Sequence, residues 1–288
     1  MPIIQIHDID DPRLARYTDL QSERRSIKTA DDTFIVEGGW CVQKLAQSNF
    51  RPRSVVVEEG RHEQVAAEFH DDVPLFVLSS DQIRQLVGFD FHRGILAEGI
   101  RPPTQSVTQL AVDPAWSDSS RREISLAVFG VSLADNLGSM IRTATALGIN
   151  RLVTGPRTAD PFSRRSIRVS MGTVFSQSIY QSNHPIDEIP TMIRRSNVRV
   201  VATTLNPDAT PLDQFVFGTI ESDRRPMMLI VGSEPDGLGR EIESVVTDLV
   251  TIPMHLDTDS LNVSVAAAIF MYEMTKHRDH GHIAADCT

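Results

Sequence analysis

Five short, almost purely apolar runs punctuate the second half of the chain: ISLAVFGV (124–131), RLVTG (151–155), VRVVATT (198–204), PMMLIVG (226–232) and LVTIP (249–253). A strand with one wet face alternates apolar and polar residues. Continuous apolar runs mean strands covered on both faces, which is the condition of a parallel sheet clad by helices. Helical spacing of apolar residues over 137–147, 187–195, 239–246 and 261–277 supplies the cladding. The expected fold is therefore an open α/β layer. In such layers ligands gather beyond the carboxyl ends of the strands, so the residues that follow each run are the candidate site.

Upstream the pattern is smaller in scale. FIVE (34–37), SVVVEE (54–59), PLFVLS (74–79) and GILAEGI (94–100) read as strands. Between them Gly38 to Gln47 and Ser80 to Val87 read as helices, with Asp81 and the serines before it as caps. With 288 residues to place, two domains are expected: a small α/β domain over 1–105 and a larger one over 124–288. The stretch 101–123, RPPTQSVTQLAVDPAWSDSSRRE, is rich in proline, serine and acids and lacks sustained periodicity, which places a linker at 106–123.

Charge and composition exclude several classes. A formal net charge of −10 argues against a generic polyanion binder, because nonspecific affinity for nucleic acid comes from lysine and arginine meeting phosphates. Any RNA contact must be local, and Arg151, Arg157, Arg164, Arg165 and Arg168, opposed only by Asp160, form a basic stretch. Two readings of it stand side by side: a phosphate-facing patch, or a helix face balanced in space by acids from elsewhere. No apolar run is long enough to cross a bilayer, and the start MPIIQIHDIDDPRLARY lacks the parts of a secretory signal. Cys41 and Cys287 lie almost a chain length apart without metal-ligand spacing, which suits a reducing compartment. A cytoplasmic protein without a metal or membrane partner is expected.

Three segments follow the apolar runs with glycine and a few polar groups. In DNLGSMIRTATALGI (135–149), Asn136 can cap the helix, Gly138 permits close backbone approach, and Arg142 in the second turn can point back at the site. In LIVGSEPDGLGREI (229–242), the chain leaves its strand through Gly232, Glu234, Gly237 and Gly239. That turn lacks the G-x-G-x-x-G spacing, and no phosphate-binding G-x-x-x-x-G-K-[ST] exists in the chain, so NAD and ATP are not supported. In TIPMHLDTDSLNVSVAAAIFMYEM (251–274), a loop leads to a helix beginning near Ser260 or Leu261, with Ser260 and Asn262 suited to capping and Ala266, Ala267 and Ala268 to close packing. Taken singly, each segment is explained by capping, a tight connection or packing.

Taken together they resemble a known family. N-x-G-x-x-x-R-T-A (136–144), G-S-E-x-x-G (232–237) and I-P-M followed by S-L-N-V-S-V-A (252–266) are similar, in order and spacing, to the three motifs of the SpoU/TrmH family. RRSIRVSMGTVF (164–175) resembles that family's intervening segment, in which a basic stretch precedes S-x-G. The resemblance covers about 155 residues and implies a SPOUT-class domain: a mostly parallel sheet, a C-terminal trefoil knot and a homodimer. It further implies a small, ribosomal-protein-like RNA-binding domain ahead of it.

The activity so implied is methyl transfer from S-adenosylmethionine to a ribose 2′-hydroxyl of structured RNA, ribosomal rather than transfer RNA. The alternative is a noncatalytic RNA-binding or ribosome-assembly factor on the same fold. The resemblance surrounds the cofactor with Gly232, Ser233, Glu234, Gly237, Ile252, Pro253, Met254 and Leu261. It carries the central catalytic role onto Arg142, acting in cis or from a partner subunit, with Asn136, Glu234, Ser260 and Asn262 orienting it or the substrate. Arg164, Arg165 and Arg168 are the implied RNA contacts. A guanidinium stays protonated at physiological pH, so an electrostatic role at the developing alkoxide or the target phosphate is preferred to that of a base.

Overall fold

A computed structural model describes residues 2–18, 20, 33–70, 72–89, 91, 94–117, 122–220, 223–232, 237–256 and 258–276. The chain divides into two compact units: Met1–Pro103 with Asp160–Ser176, and Thr104–Ala159 with Gln177–Thr288.

The first unit contains β1 (Ile3–Gln5), β2 (Thr33–Glu37), α1 (Gly39–Ala46), β3 (Pro52–Glu58), α2 (His62–Ala66), β4 (Leu75–Leu78), α3 (Ser80–Val87) and β5 (Ile95–Ile100). Its five-stranded sheet has the order β1-β4-β3-β5-β2. β1, β4 and β3 run parallel, while β5 is antiparallel to both β3 and β2. The four expected strands and both expected helices are present, and the serine cap is real. Ser79 and Gln82 form a reciprocal capping box at the start of α3, and Gly88 in the left-handed conformation ends it. β1 was not foreseen, because three residues on a sheet edge with little burial carry no periodicity. A 3-10 turn at Pro12–Tyr17 buries Leu14 and Tyr17, and the Tyr17 hydroxyl lies 2.8 Å from that of Ser54.

The second unit contains β6 (Gln105–Ser106), α4 (Val107–Leu110), α5 (Pro114–Ser117), β7 (Ile124–Phe129), α6 (Ala134–Ala146) and β8 (Arg151–Thr154). After α7 (Arg164–Val169), which lies in the first unit, follow β9 (Ser178–Gln181), α8 (Pro185–Ser196), β10 (Arg199–Thr203), β11 (Thr210–Pro211) and α9 (Leu212–Phe215). β12 (Met227–Gly232), α10 (Arg240–Glu243), β13 (Asp248–Thr251) and α11 (Val263–Thr275) complete it. Its eight-stranded sheet has the order β11-β13-β10-β12-β7-β8-β9-β6, and each of these pairings is parallel. The parallel α/β layer expected from the apolar runs is thus present. All the carboxyl ends lie along one edge. β7 and β12 sit at the centre, in register from Ile124 opposite Met227 to Phe129 opposite Gly232.

Two expectations about organisation need correction. The stretch 106–123 is not a bare connection: Val107, Leu110 and Trp116 are buried in the core of the second unit beside Tyr180, Ile189 and Met192. Two turns of helix too short to register as periodic bury those side chains. The segment Asp160–Ser176, expected inside the larger domain, clusters instead with the first unit. There Phe162 and Phe175 stack on Phe34, with ring centroids 5.0 and 5.7 Å away. β9 also went unforeseen, since Tyr180 is its only buried residue, and α10 spans Arg240–Glu243 rather than 239–246.

Candidate active site

The carboxyl edge of the parallel sheet is built by close backbone approach. β7 leads through Gly130 to α6, and the neighbouring β8 leads into Gly155, whose amide donates to the Val128 carbonyl at 2.9 Å. A Cβ at Gly155 would lie 2.1 Å from the Phe129 ring, so only glycine lets the two strand ends meet. On the other side of β7, the chain leaves β12 at Gly232. A Cβ there would lie 2.7 Å from the Gly237 backbone and 2.8 Å from the Leu238 nitrogen. The backbone of Gly237 and Leu238 lies directly against Gly232.

α11 enters this edge with Asn262 as its N-cap. The Asn262 Oδ1 accepts from the Ser264 amide at 2.9 Å and from the Ser264 hydroxyl at 2.6 Å, while its Nδ2 donates to the Asn136 Oδ1 at 3.1 Å. One side chain therefore caps one helix and ties it to the first turn of another. α11 packs against α6, burying Ala267, Phe270, Met271 and Met274. The first and third sequence motifs are in this way brought together by a direct hydrogen bond.

Several expected details change. Asn136 does not cap α6: Leu133 occupies the N-cap position without a side-chain bond, and Asn136 lies inside the first turn with its oxygen facing Asn262. Arg142 falls in the third turn rather than the second, exposed, with no side-chain partner among the described residues. α11 begins at Val263, just beyond the expected start, because Asn262 rather than Ser260 is the cap. Ser260 and Leu261 are half-buried directly ahead of it. Ser233 and Glu234 lie outside the described residues.

Ile252, Pro253 and Met254 follow β13 as a loop in which Leu256 takes a left-handed backbone at φ 57° and is 96% exposed. Ile252 and Pro253 also line a cavity of about 450 Å³, together with Leu212, Val216, Phe217 and the polar Asp213, Glu273 and Lys276. Sequence reasoning missed these last residues. α9 is a single turn whose period is invisible, and Glu273 and Lys276 belong to no sequence motif.

The basic stretch divides. Arg164 and Arg168 reach the two carboxylate oxygens of Glu37 at 2.7 and 2.8 Å, and the Glu37 side chain is only 4% exposed. Burial pushes that carboxyl upward, but hydrogen bonding and charge from Arg164, then Arg168, outweigh it and hold the group below the ordinary carboxylate range. Arg151 pairs with Glu123 at 2.7 Å and packs over the Trp116 ring. Arg151, Arg164 and Arg168 are each paired with an acid from elsewhere in the chain. Arg165 is exposed. Arg157 is the member with no side-chain partner among the described residues.

In parallel α/β layers of this kind, ligands gather in the crevice beyond the carboxyl ends of the strands. Comparison with known proteins makes the class specific. The model of the SpoU rRNA methylase family matches residues 123–272, and the chain belongs to that family: it is an RNA methyltransferase. A Mycobacterium bovis protein described as an uncharacterized tRNA/rRNA methyltransferase is 32% identical, over 97% of this chain and 94% of its own. The 23S rRNA (guanosine(2553)-2′-O)-methyltransferase RlmP of Bacillus subtilis is 25% identical, over 94% of this chain and 98% of its own. Among solved structures, an AdoMet-bound rRNA methyltransferase from Sinorhizobium meliloti superposes with a TM-score of 0.76 at 24% identity, covering 96% of this chain and 98% of that one.

Proposed function

We propose that this methyltransferase uses S-adenosylmethionine to methylate a ribose 2′-hydroxyl of ribosomal RNA. The observation that carries the reading is the Asn136–Asn262 bond, which joins two motif-bearing helices at the carboxyl edge, with Arg142, without a side-chain partner among the described residues, on one of them. The relative from Bacillus subtilis, named for 2′-O-methylation of 23S rRNA and matched along almost the whole chain, supports both the ribose target and the ribosomal substrate.

The turn at Gly232 fits the cofactor. A Cβ at Gly232 would fill the space against Gly237 and Leu238, and Gly232 stands on the same edge as the Ile252–Met254 loop and Leu261. These residues, with Ser233 and Glu234, would hold the donor, which when bound supplies a methyl group on a positively charged sulfur. Glycine at 232 and the paired asparagines fix the positions of the surrounding groups before substrate arrives, and such positioning is worth up to roughly 7–11 kcal/mol of a barrier. Arg142 stays cationic and stabilises negative charge on the ribose oxygen or grips the adjoining phosphate, while solvent or a phosphate oxygen takes the proton. Asn136, Asn262, Ser260 and Glu234 orient Arg142 or the ribose.

The remaining parts of the reading follow the family. The C-terminal part of the larger domain is tied in a trefoil knot, the residues before 106 dock structured RNA, and the enzyme works in the cytoplasm as a homodimer. Support for the dimer comes from α11, where Val265, Ile269 and Tyr272 are 47%, 37% and 57% exposed along one helical face.

Two measurements test the core of the proposal. Calorimetry should show the purified protein binding S-adenosylmethionine and its demethylated product; no heat from either would remove the proposed pocket. Arg142→Ala should lower methyl transfer to an rRNA transcript about 10²–10³-fold, the usual size of one lost oxyanion-type contact, while donor affinity stays within about twofold. Lost donor affinity with normal turnover at saturation would contradict the assigned role.

A further inference from the structure

Most described arginines are tied to acids: Arg151 to Glu123, Arg164 and Arg168 to Glu37, Arg101 to Asp160, and Arg199 to Asp223 and Asp248. Arg142, Arg157, Arg195 and Arg240 have no side-chain partner among the described residues. In a chain of net charge −10, an unneutralised guanidinium is a local exception. Arg157 differs from the others in its backbone. It adopts φ 58°, a left-handed conformation that L side chains rarely take and that survives only where the surroundings over-determine it.

The surroundings do so here. The loop after β8 is fastened to the end of β7 on both sides of Arg157. Gly155 N–H and the Thr158 hydroxyl both donate to the Val128 carbonyl, at 2.9 and 2.8 Å. Gly130 N–H donates to the Pro156 carbonyl at 3.0 Å, and Ala159 N–H to the Val131 carbonyl at 2.8 Å. Arg157 is thus the exposed apex of a loop bonded in place at the carboxyl edge of the sheet, on the strand next to the one that leads into α6 and Arg142. A fixed backbone carrying a free, forked cation is the arrangement that holds a phosphate in one register.

We propose that Arg157 binds an RNA backbone phosphate beside the target nucleotide and so sets the register of the strand over Arg142. The inference rests on the RNA methyltransferase reading and adds a substrate-binding residue to it. Phosphate contact predicts electrostatics that are independent of sequence: each neutralised phosphate contributes roughly 0.7–0.9 to the slope of log affinity against log salt.

The test is binding of the full-length protein to an unmodified 23S rRNA transcript across a salt series. Arg157→Ala should weaken binding roughly tenfold at low salt, the loss of one charged hydrogen-bonded contact, and should flatten the slope by about one contact. Arg157→Lys should keep the slope. Arg157→Gly, which accepts the left-handed backbone, should behave as Arg157→Ala toward RNA while folding at least as stably as the parent, which separates binding from strain. Arg195→Ala removes the same charge near the end of α8, just before β10 begins and so at the opposite edge, and should leave affinity unchanged. If Arg157→Ala matches the parent in slope and affinity, or if Arg195→Ala weakens binding equally, the inference fails and the methyltransferase reading stands. If the parent itself binds no RNA, both fall.

Discussion

At the scale of single residues, one side chain repeatedly satisfies two demands. Asn262 caps α11 and holds Asn136, and Glu37 neutralises two arginines from one buried position. Glu37 makes a pH prediction with a definite sign. Its folded carboxyl lies below the ordinary range, so the unfolded chain binds the more protons as pH falls below about 4.3. The stability it contributes is fully present above that pH and is lost as pH drops through the folded value. Glu37→Gln should cost about 2 kcal/mol near neutrality, less than a fully buried pair because both arginines are part exposed. Urea titrations of parent and variant should converge in acid; a constant gap at every pH would mean the pair is not the cause. Gly232 makes the second prediction. An alanine Cβ would collide with the backbone of Gly237 and Leu238, so Gly232→Ala should lower donor affinity more than tenfold with a stability cost of about 1–3 kcal/mol. Unchanged donor binding by calorimetry would separate this turn from the cofactor.

At the scale of elements, length decided what could be read in advance. α3, α6 and α8 were legible because each has at least two turns over which a 3.6-residue period can register, and β7, β10 and β12 because both their faces are buried. α4, α5 and α9 are single turns, and β6 and β11 are pairs of residues, so no period exists to be seen. The consequence is sharpest at 106–123, where polar composition concealed Trp116, fully buried under Arg151. Trp116→Ala should destabilise the second unit by about 3–5 kcal/mol, as loss of a buried aromatic does. A thermal or urea measurement showing less than about 1 kcal/mol would return the stretch to the status of a connection.

At the scale of the whole molecule, the exposed stripe on α11 is an apolar feature that a single copy leaves uncovered. α11 is apolar on nearly all sides: Phe270, Met271 and Met274 face inward while Val265, Ile269 and Tyr272 face out. Ile269→Asp should convert a dimer to monomers in sedimentation while leaving the circular dichroism of the chain intact. A parent protein that sediments as a monomer at micromolar concentration would refute the homodimer directly.

The sequence alone determined the class of the larger sheet and the family, because continuous apolar runs and closely spaced motifs are local properties of a chain. Only the tertiary structure decided that Asn136 answers Asn262 across 126 residues, that Arg164 and Arg168 neutralise a distant Glu37, and that Asp160–Ser176 belongs with the first unit. Ion pairs and hydrogen bonds between remote segments leave no period and no spacing in the sequence. A lone arginine reads the same whether an acid elsewhere in the chain neutralises it, as at Arg164, or no described side chain does, as at Arg142 and Arg157.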